Sequence, residues 1–106
     1  MASRTDKDVG QAPSPAPVRP LPRPFSFHWG GGQIVEEATF AGEWNEPTIQ
    51  LLEYENGGLS LRFCSYNHRG MFLRSPLMMG EDEIKSMKQT LDSCPRIKAL
   101  LKGMVS

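Results

Sequence analysis

Apolar and polar positions alternate most regularly between Ile49 and Phe63. Ile49, Leu51, Leu52 and Tyr54 precede Asn56-Gly57, and Leu59, Leu61 and Phe63 follow it. Asn-Gly between two such runs is the strongest short signal for a β-hairpin, because a type I′ turn needs positive φ at both central residues. A two-residue loop also predicts the register. Glu55 then faces Gly58, Tyr54 faces Leu59, Leu52 faces Leu61 and Gln50 faces Phe63. One face of the hairpin carries Tyr54, Leu52, Leu59, Leu61 and Phe63 and is expected to enter the core. The other carries Glu53, Glu55, Ser60, Arg62, Leu51 and Cys64.

The flanking stretches extend this sheet. Phe25, Phe27 and Trp29 form an aromatic cluster before Gly30-Gly31-Gly32, and it either begins the folded part or docks on it. Residues 33–40 form a weaker strand candidate through Ile34, Val35 and Phe40. Residues 41–47 read as a loop. The second hairpin strand is expected to run to Tyr66, with a turn at residues 67–70. Met71, Leu73 and Leu77 alternate in a fourth strand, which Pro76 confines to an edge or a bulge.

The period then changes. Ile84, Met87, Leu91 and Cys94 recur at helical spacing behind Glu81, Asp82 and Glu83, three acids that complement a helix dipole in its first turn. Pro95 suits the first turn of a second helix, which Ile97, Leu100, Leu101 and Met104 continue. The fold class that follows is α+β: an antiparallel sheet of about four strands followed by a C-terminal helical segment packed on one face. A core this small is marginal alone. The stripe Ile84, Met87, Leu91, Ile97, Leu100 and Leu101 is therefore expected to form the interface of a homodimer.

Composition divides the chain. Residues 1–24 hold six of the nine prolines and no apolar periodicity, so they are expected to form a disordered tail in front of one small domain at residues 25–106. Within residues 17–24 a PxxP motif lies beside Arg19 and Arg23. It points to a protein partner of the SH3 type, although the arginines fall outside the usual flanking register and a soluble tail is the simpler reading. No apolar run approaches the ~20 residues that cross a bilayer. No secretory h-region is visible, and two cysteines, Cys64 and Cys94, make no disulfide framework, so an intracellular location is expected.

The chain is neutral, but its charges are sorted. Residues 25–55 contain six glutamates and no base, whereas residues 56–80 contain Arg62, Arg69 and Arg74 and no acid. With Phe63 and Leu73 inward, Arg62 and Arg74 would share the opposite face with Tyr66 and Phe72. Bases interleaved with aromatic rings suit single-stranded nucleic acid, where guanidinium groups neutralise phosphates and rings stack on unpaired bases. Against this stands a solvated face on which Glu53 and Glu55 pair the arginines. Cys64 and His68 lack a third orienting group, so no catalytic set is expected. The spacing of His28, His68, Cys64 and Cys94 fits no zinc pattern, and no phosphate loop or other cofactor motif is present.

Four strands, a C-terminal helix and a leading tail resemble the transcriptional coactivator family known as positive cofactor four. Residues 74–84, from Arg74 through Pro76 and Gly80 to Ile84, look like that family's last strand entering its helix, residues 99–102 like its helix end, and residues 50–54 like its second strand. The resemblance implies a dimer that holds single-stranded DNA on its sheets and loops. Residue by residue it points to Arg62, Tyr66, Arg69, Phe72 and Arg74. The chain departs from the family in having Pro95 within the helical segment and few lysines before it. A module that binds only protein remains the alternative, favoured if glutamates neutralise the sheet face.

Overall fold

The structure is a computed structural model, and it describes residues 19–73 and 76–106. Five strands run in the order β1 (Arg23–Phe27), β2 (Gly30–Thr39), β3 (Glu46–Tyr54), β4 (Leu59–Tyr66) and β5 (Leu77–Gly80). They form one antiparallel sheet in which sequence neighbours are spatial neighbours. Two helices follow, α1 (Glu81–Leu91) and α2 (Pro95–Val105). The α+β layout is as the periodicity predicts, with five strands where about four were expected. Among the described residues no helix is long and apolar enough to cross a membrane.

The extra strand is β1. Arg23 and Pro24 already pair with Ile34 and Gln33, so the sheet begins inside the stretch assigned to the tail. Residues 1–18 lie outside the described residues. The aromatic cluster is the turn and edge of this first hairpin. Phe27 stacks on Trp29 at 4.9 Å, and Phe25 meets Tyr54 edge-on at 5.4 Å. Gly32 is required between Phe25 and Tyr54, because a Cβ there would lie 2.1 Å from the Glu53 carbonyl oxygen.

The central hairpin is one residue out of the predicted register. Tyr54 lies across from Gly58, and the pairs are Glu53 with Leu59, Leu52 with Ser60 and Gln50 with Arg62. The loop has three residues. Gly57 N–H closes the turn on the Tyr54 carbonyl at 2.9 Å, and Gly57 alone takes a left-handed φ of +90°. A turn followed by one left-handed glycine is the usual three-residue hairpin loop. Asn56 serves it with its side chain, which accepts a bond from Gly58 N–H at 2.9 Å. Since side chains alternate with period two, the slip reassigns the faces. Leu52 shares a face with Ser60, Arg62, Cys64 and Tyr66, while Leu51 joins Leu59, Leu61 and Phe63.

The fourth predicted strand also moves. Phe72 makes only a single bridge to Tyr66, and the strand proper starts at Leu77, after Pro76. Gly80 N–H then bonds the Glu83 carboxylate at 2.9 Å, which fixes the start of α1.

The two sheet faces differ in chemistry. The inner face holds every buried side chain of the described residues: Ile34, Leu52 and Tyr66 among the apolar ones, and Glu46, Thr48, Gln50, Ser60 and Arg62 among the polar ones. The outer face is apolar, with Ile49 against Phe63, Leu51 against Leu61 and Leu61 against Met79. Neither helix buries a residue. A cavity of about 890 Å³ separates the outer face from α2, with Ile49, Phe63 and Leu73 on one side and Leu101 and Met104 on the other.

Gly57→Val tests the turn. A β-branched residue at positive φ costs on the order of 1–3 kcal/mol, so the denaturant midpoint is expected to fall. An unchanged midpoint would contradict the three-residue loop and the face assignment built on it.

Candidate functional site: a polar network under an aromatic lid

Gln50 is the centre of the inner face and has no exposed surface. Its amide can point only one way. Arg62 has donors only and an ionised Glu37 has acceptors only. The Gln50 oxygen therefore accepts from Arg62 Nε at 2.7 Å. The Gln50 nitrogen donates to Glu37 Oε2 at 2.7 Å and to the Tyr66 hydroxyl at 2.9 Å. Arg23 closes the ring from β1. It forms a two-point pair with Glu37 at 2.7 and 3.2 Å and donates to the Tyr66 hydroxyl at 3.2 Å. The sheet must curl for a β1 side chain to reach one on β4 over β2 and β3.

A bulge makes this possible. Ile34 pairs with Leu52, but Glu36 pairs with Leu51 and Glu37 with Gln50, so Val35 is the extra residue. The bulge turns Glu37, in place of Glu36, onto the inner face. Burial pushes the Glu37 carboxyl up, but its bonds to Arg23 and Gln50 and the nearby charges of Arg23 and Arg19 outweigh that and hold it below the usual range.

Arg19 supplies the second buried ion pair. Its Nη2 donates to Glu46 Oε1 at 2.7 Å, its Nη1 stands 3.8 Å from Glu37 Oε1, and its guanidinium carbon lies 3.8 Å above the Tyr66 ring centre. Phe72 meets the same ring edge-on at 5.4 Å and lies under Arg62, whose guanidinium carbon is 4.7 Å from the Phe72 ring centre. His68 bridges two loops at this end of the sheet, with Nδ1 3.7 Å from Glu46 and Nε2 3.3 Å from the Glu43 carbonyl oxygen.

The structure thus brings Arg62, Tyr66 and Phe72 together, but not as an open sheet face. Arg62 is 8% and Tyr66 7% exposed, and Phe72 at 41% is the accessible member. Arg69 is exposed at the tip of the adjoining turn, next to Gly70 at φ +83°. Arg74 lies outside the described residues. Glu53 and Glu55 do not reach the arginines. Glu53 pairs opposite Leu59 on the outer face, and Glu55 is in the hairpin loop. The carboxylates that do enter are Glu37 and Glu46, which the charge pattern did not single out.

Arg19, Arg23, Glu37, Glu46 and Gln50 were all missed by pattern reading. The signals for two of them were present. Ile34-Val35-Glu36-Glu37 breaks the two-residue period where the bulge falls, and Gln50 is a lone amide in an apolar strand. Arg19 and Arg23 belong to the PxxP stretch, and both are engaged by glutamates of the domain.

Cys64 lies on the inner face. Burial raises its thiol above the ordinary value, and the adjacent Arg62 charge does not overcome that. A protonated thiol is a poor nucleophile. Among the described residues no three His, Cys, Asp or Glu side chains converge as metal ligands. The chain matches no protein-family model, no curated protein and no solved structure.

The depressed Glu37 carboxyl fixes a sign. A group whose folded pKa lies below its unfolded value, about 4.3 for glutamate, stabilises fully above that value and loses the contribution as pH falls through the folded pKa. The thermal midpoint of the native protein is expected to exceed that of Glu37→Gln at neutral pH, with the gap narrowing on acidification below about pH 5. A gap independent of pH would show that the carboxylate charge does not hold the network.

Proposed function

We propose that the domain binds single-stranded nucleic acid at the end of the sheet formed by Arg62, Tyr66, Phe72 and Arg69. The observation that carries this reading is the state of Arg62. Three guanidinium groups, from Arg19, Arg23 and Arg62, meet two carboxylates on the inner face. Glu46 takes Arg19 and Glu37 takes Arg23. Arg62 has no carboxylate partner among the described residues, only the neutral Gln50 amide and the Phe72 ring. One positive charge is left over beside an accessible aromatic ring, with Arg69 in solvent nearby. Phosphate can pair with the arginines, and an unpaired base can stack on Phe72.

The apolar outer side supports a second reading, compatible with the first: a protein-interaction module whose partner is another copy of itself. The outer face is half-covered and α2 is exposed along its apolar stripe, with Leu100 80% accessible. Ile84, Met87, Ile97 and Leu101 are exposed as well, and Leu91 is half-buried. A standard interface buries about 800 Å² per partner, and a single sheet layer lacking a second layer needs cover of that order.

Fluorescence anisotropy with an unstructured oligonucleotide at two salt concentrations tests the first reading. Arg69→Ala is expected to lower the salt slope by ~0.7, the value of one phosphate contact on a single strand. Phe72→Ala is expected to cost roughly 1–3 kcal/mol with little change of slope. Native protein without salt-sensitive binding at micromolar concentration would sink the reading.

Sedimentation velocity tests the second. The native chain is expected to sediment as a dimer and Leu100→Asp as a folded monomer, since Leu100 supports nothing within its own chain. A native monomer at every accessible concentration would exclude self-association.

A further inference from the structure

The ring that would make the deepest stacking contact is already occupied. Tyr66 offers two faces and an edge. Phe72 packs on the ring T-shaped, with ring centres 5.4 Å apart, and the guanidinium of Arg19 lies over one face at 3.8 Å from the ring centre. A planar cation over an aromatic face takes the position and stacking geometry of a base. We propose that Arg19 is an intramolecular gate on Tyr66, holding the ring face closed until a nucleic-acid phosphate draws the guanidinium away from Glu46. The proposal rests on the nucleic-acid reading and deepens it.

The gate is built to be both held and released. Residues 19–22 are a short strap leading into β1, tied down by Arg23 Nη1, which donates to the Pro20 carbonyl at 3.4 Å. Arg19 is held by a single good bond, Nη2 to Glu46. Its Nη1 is buried and finds no hydrogen-bond acceptor, the Glu37 carboxylate standing 3.8 Å away. An unmet buried donor costs free energy, which lowers the cost of leaving. A phosphate offers Arg19 acceptor oxygens for both nitrogens. The Glu46 carboxylate left behind has His68 as its neighbour, with Nδ1 3.7 Å from Oε2, a counter-charge when the imidazole is protonated. Arg23 stays on Glu37, so the strap opens at Arg19 without unpairing β1 from β2.

The gate makes two measurements move together. Tyr66 and Tyr54 are the only two tyrosines of the chain, so nitration by tetranitromethane can be followed at each by peptide mass spectrometry, with Tyr54 as the internal control. With the open form at about a tenth of molecules, Glu46→Gln, which frees Arg19 without removing it, is expected to speed nitration of Tyr66 about tenfold and to tighten oligonucleotide binding about tenfold. Arg19→Ala is expected to speed nitration to the same degree but to tighten binding less, since it also removes the Arg19 contact to phosphate, and circular dichroism of each variant verifies the fold. Unchanged Tyr66 nitration in both folded variants overturns the gate. Faster nitration of Glu46→Gln with weaker binding also overturns it, since freeing Arg19 would then not serve the ligand. Equal affinity of native protein and Glu46→Gln is failure of the gate alone, whereas no binding by any of them is failure of the nucleic-acid reading, and the gate falls with it.

Discussion

The fold depends on one amide. Gln50 has no exposed surface, and its oxygen and nitrogen bind Arg62, Glu37 and Tyr66. Each of those partners sits on a different strand or sheet position, and each needs the others. Glu37 without Gln50 would keep only its arginines. Arg62 without Gln50 would lose the side-chain hydrogen bond that holds its guanidinium over the Phe72 ring. The net value of each bond is about 0.5–1.5 kcal/mol, but stranding a buried charged group costs more. The network therefore acts less as a source of stability than as a lock on register. A one-residue slip of β3 against β4 would take Arg62 away from Gln50 and put Leu61 in its place.

That lock explains what the sequence made legible and what it hid. Strands β2, β3 and β4 and both helices follow from period-two and helical spacing, because those periods are local. The faces did not follow, because they hang on whether the hairpin loop holds two residues or three. Asn56-Gly57 fits both loops, and the apolar pattern is ambiguous. Leu51 and Leu52 are adjacent, so either can be taken as the inward one. A rule that sends the apolar residues inward selects Leu59, Leu61 and Phe63. The structure sends Ser60, Arg62 and Tyr66 inward instead, where Gln50 bonds both Arg62 and Tyr66. The partner that decides this is distant in sequence, 12 residues from Arg62 and 16 from Tyr66, and a one-dimensional period cannot see it.

The inversion has a consequence for the two sides of the molecule. A sheet normally turns its apolar face to a second layer. Here the polar face is closed by Arg19 and the Phe72 loop, whereas the apolar face meets α2 only across a cavity. Leu101 and Met104 point toward that face without sealing it. The helical stripe and the outer face are thus two halves of a layer that the single chain leaves unfinished, and a second copy would complete them. The charge chemistry and the apolar chemistry fall on opposite sides, so self-association and phosphate contact do not compete for the same residues.

Salt acts differently on these parts. Arg69 is exposed, and its interaction with a phosphate is screened within a Debye length of about 8 Å at physiological ionic strength. The Arg19–Glu46 pair is shielded from solvent, with side chains 13% and 2% exposed, and is screened far less. On the proposed reading, raising salt would therefore weaken the attraction for a nucleic acid before it weakens the contact that covers Tyr66. The same asymmetry holds for the charge balance. Opening at Arg19 leaves Glu46 facing only His68, so the incoming phosphate must bring Arg19 more than Glu46 gave it. On the proposed reading, a backbone phosphate that drew Arg19 toward the exposed Arg69 would meet that condition by supplying acceptors for both arginines. An isolated anion at the Arg69 turn does not, since nothing there competes for Arg19. On the same reading, opening would be coupled to a ligand long enough to place a phosphate at the strap and a base over the sheet end together, which would select for a strand over a free ion.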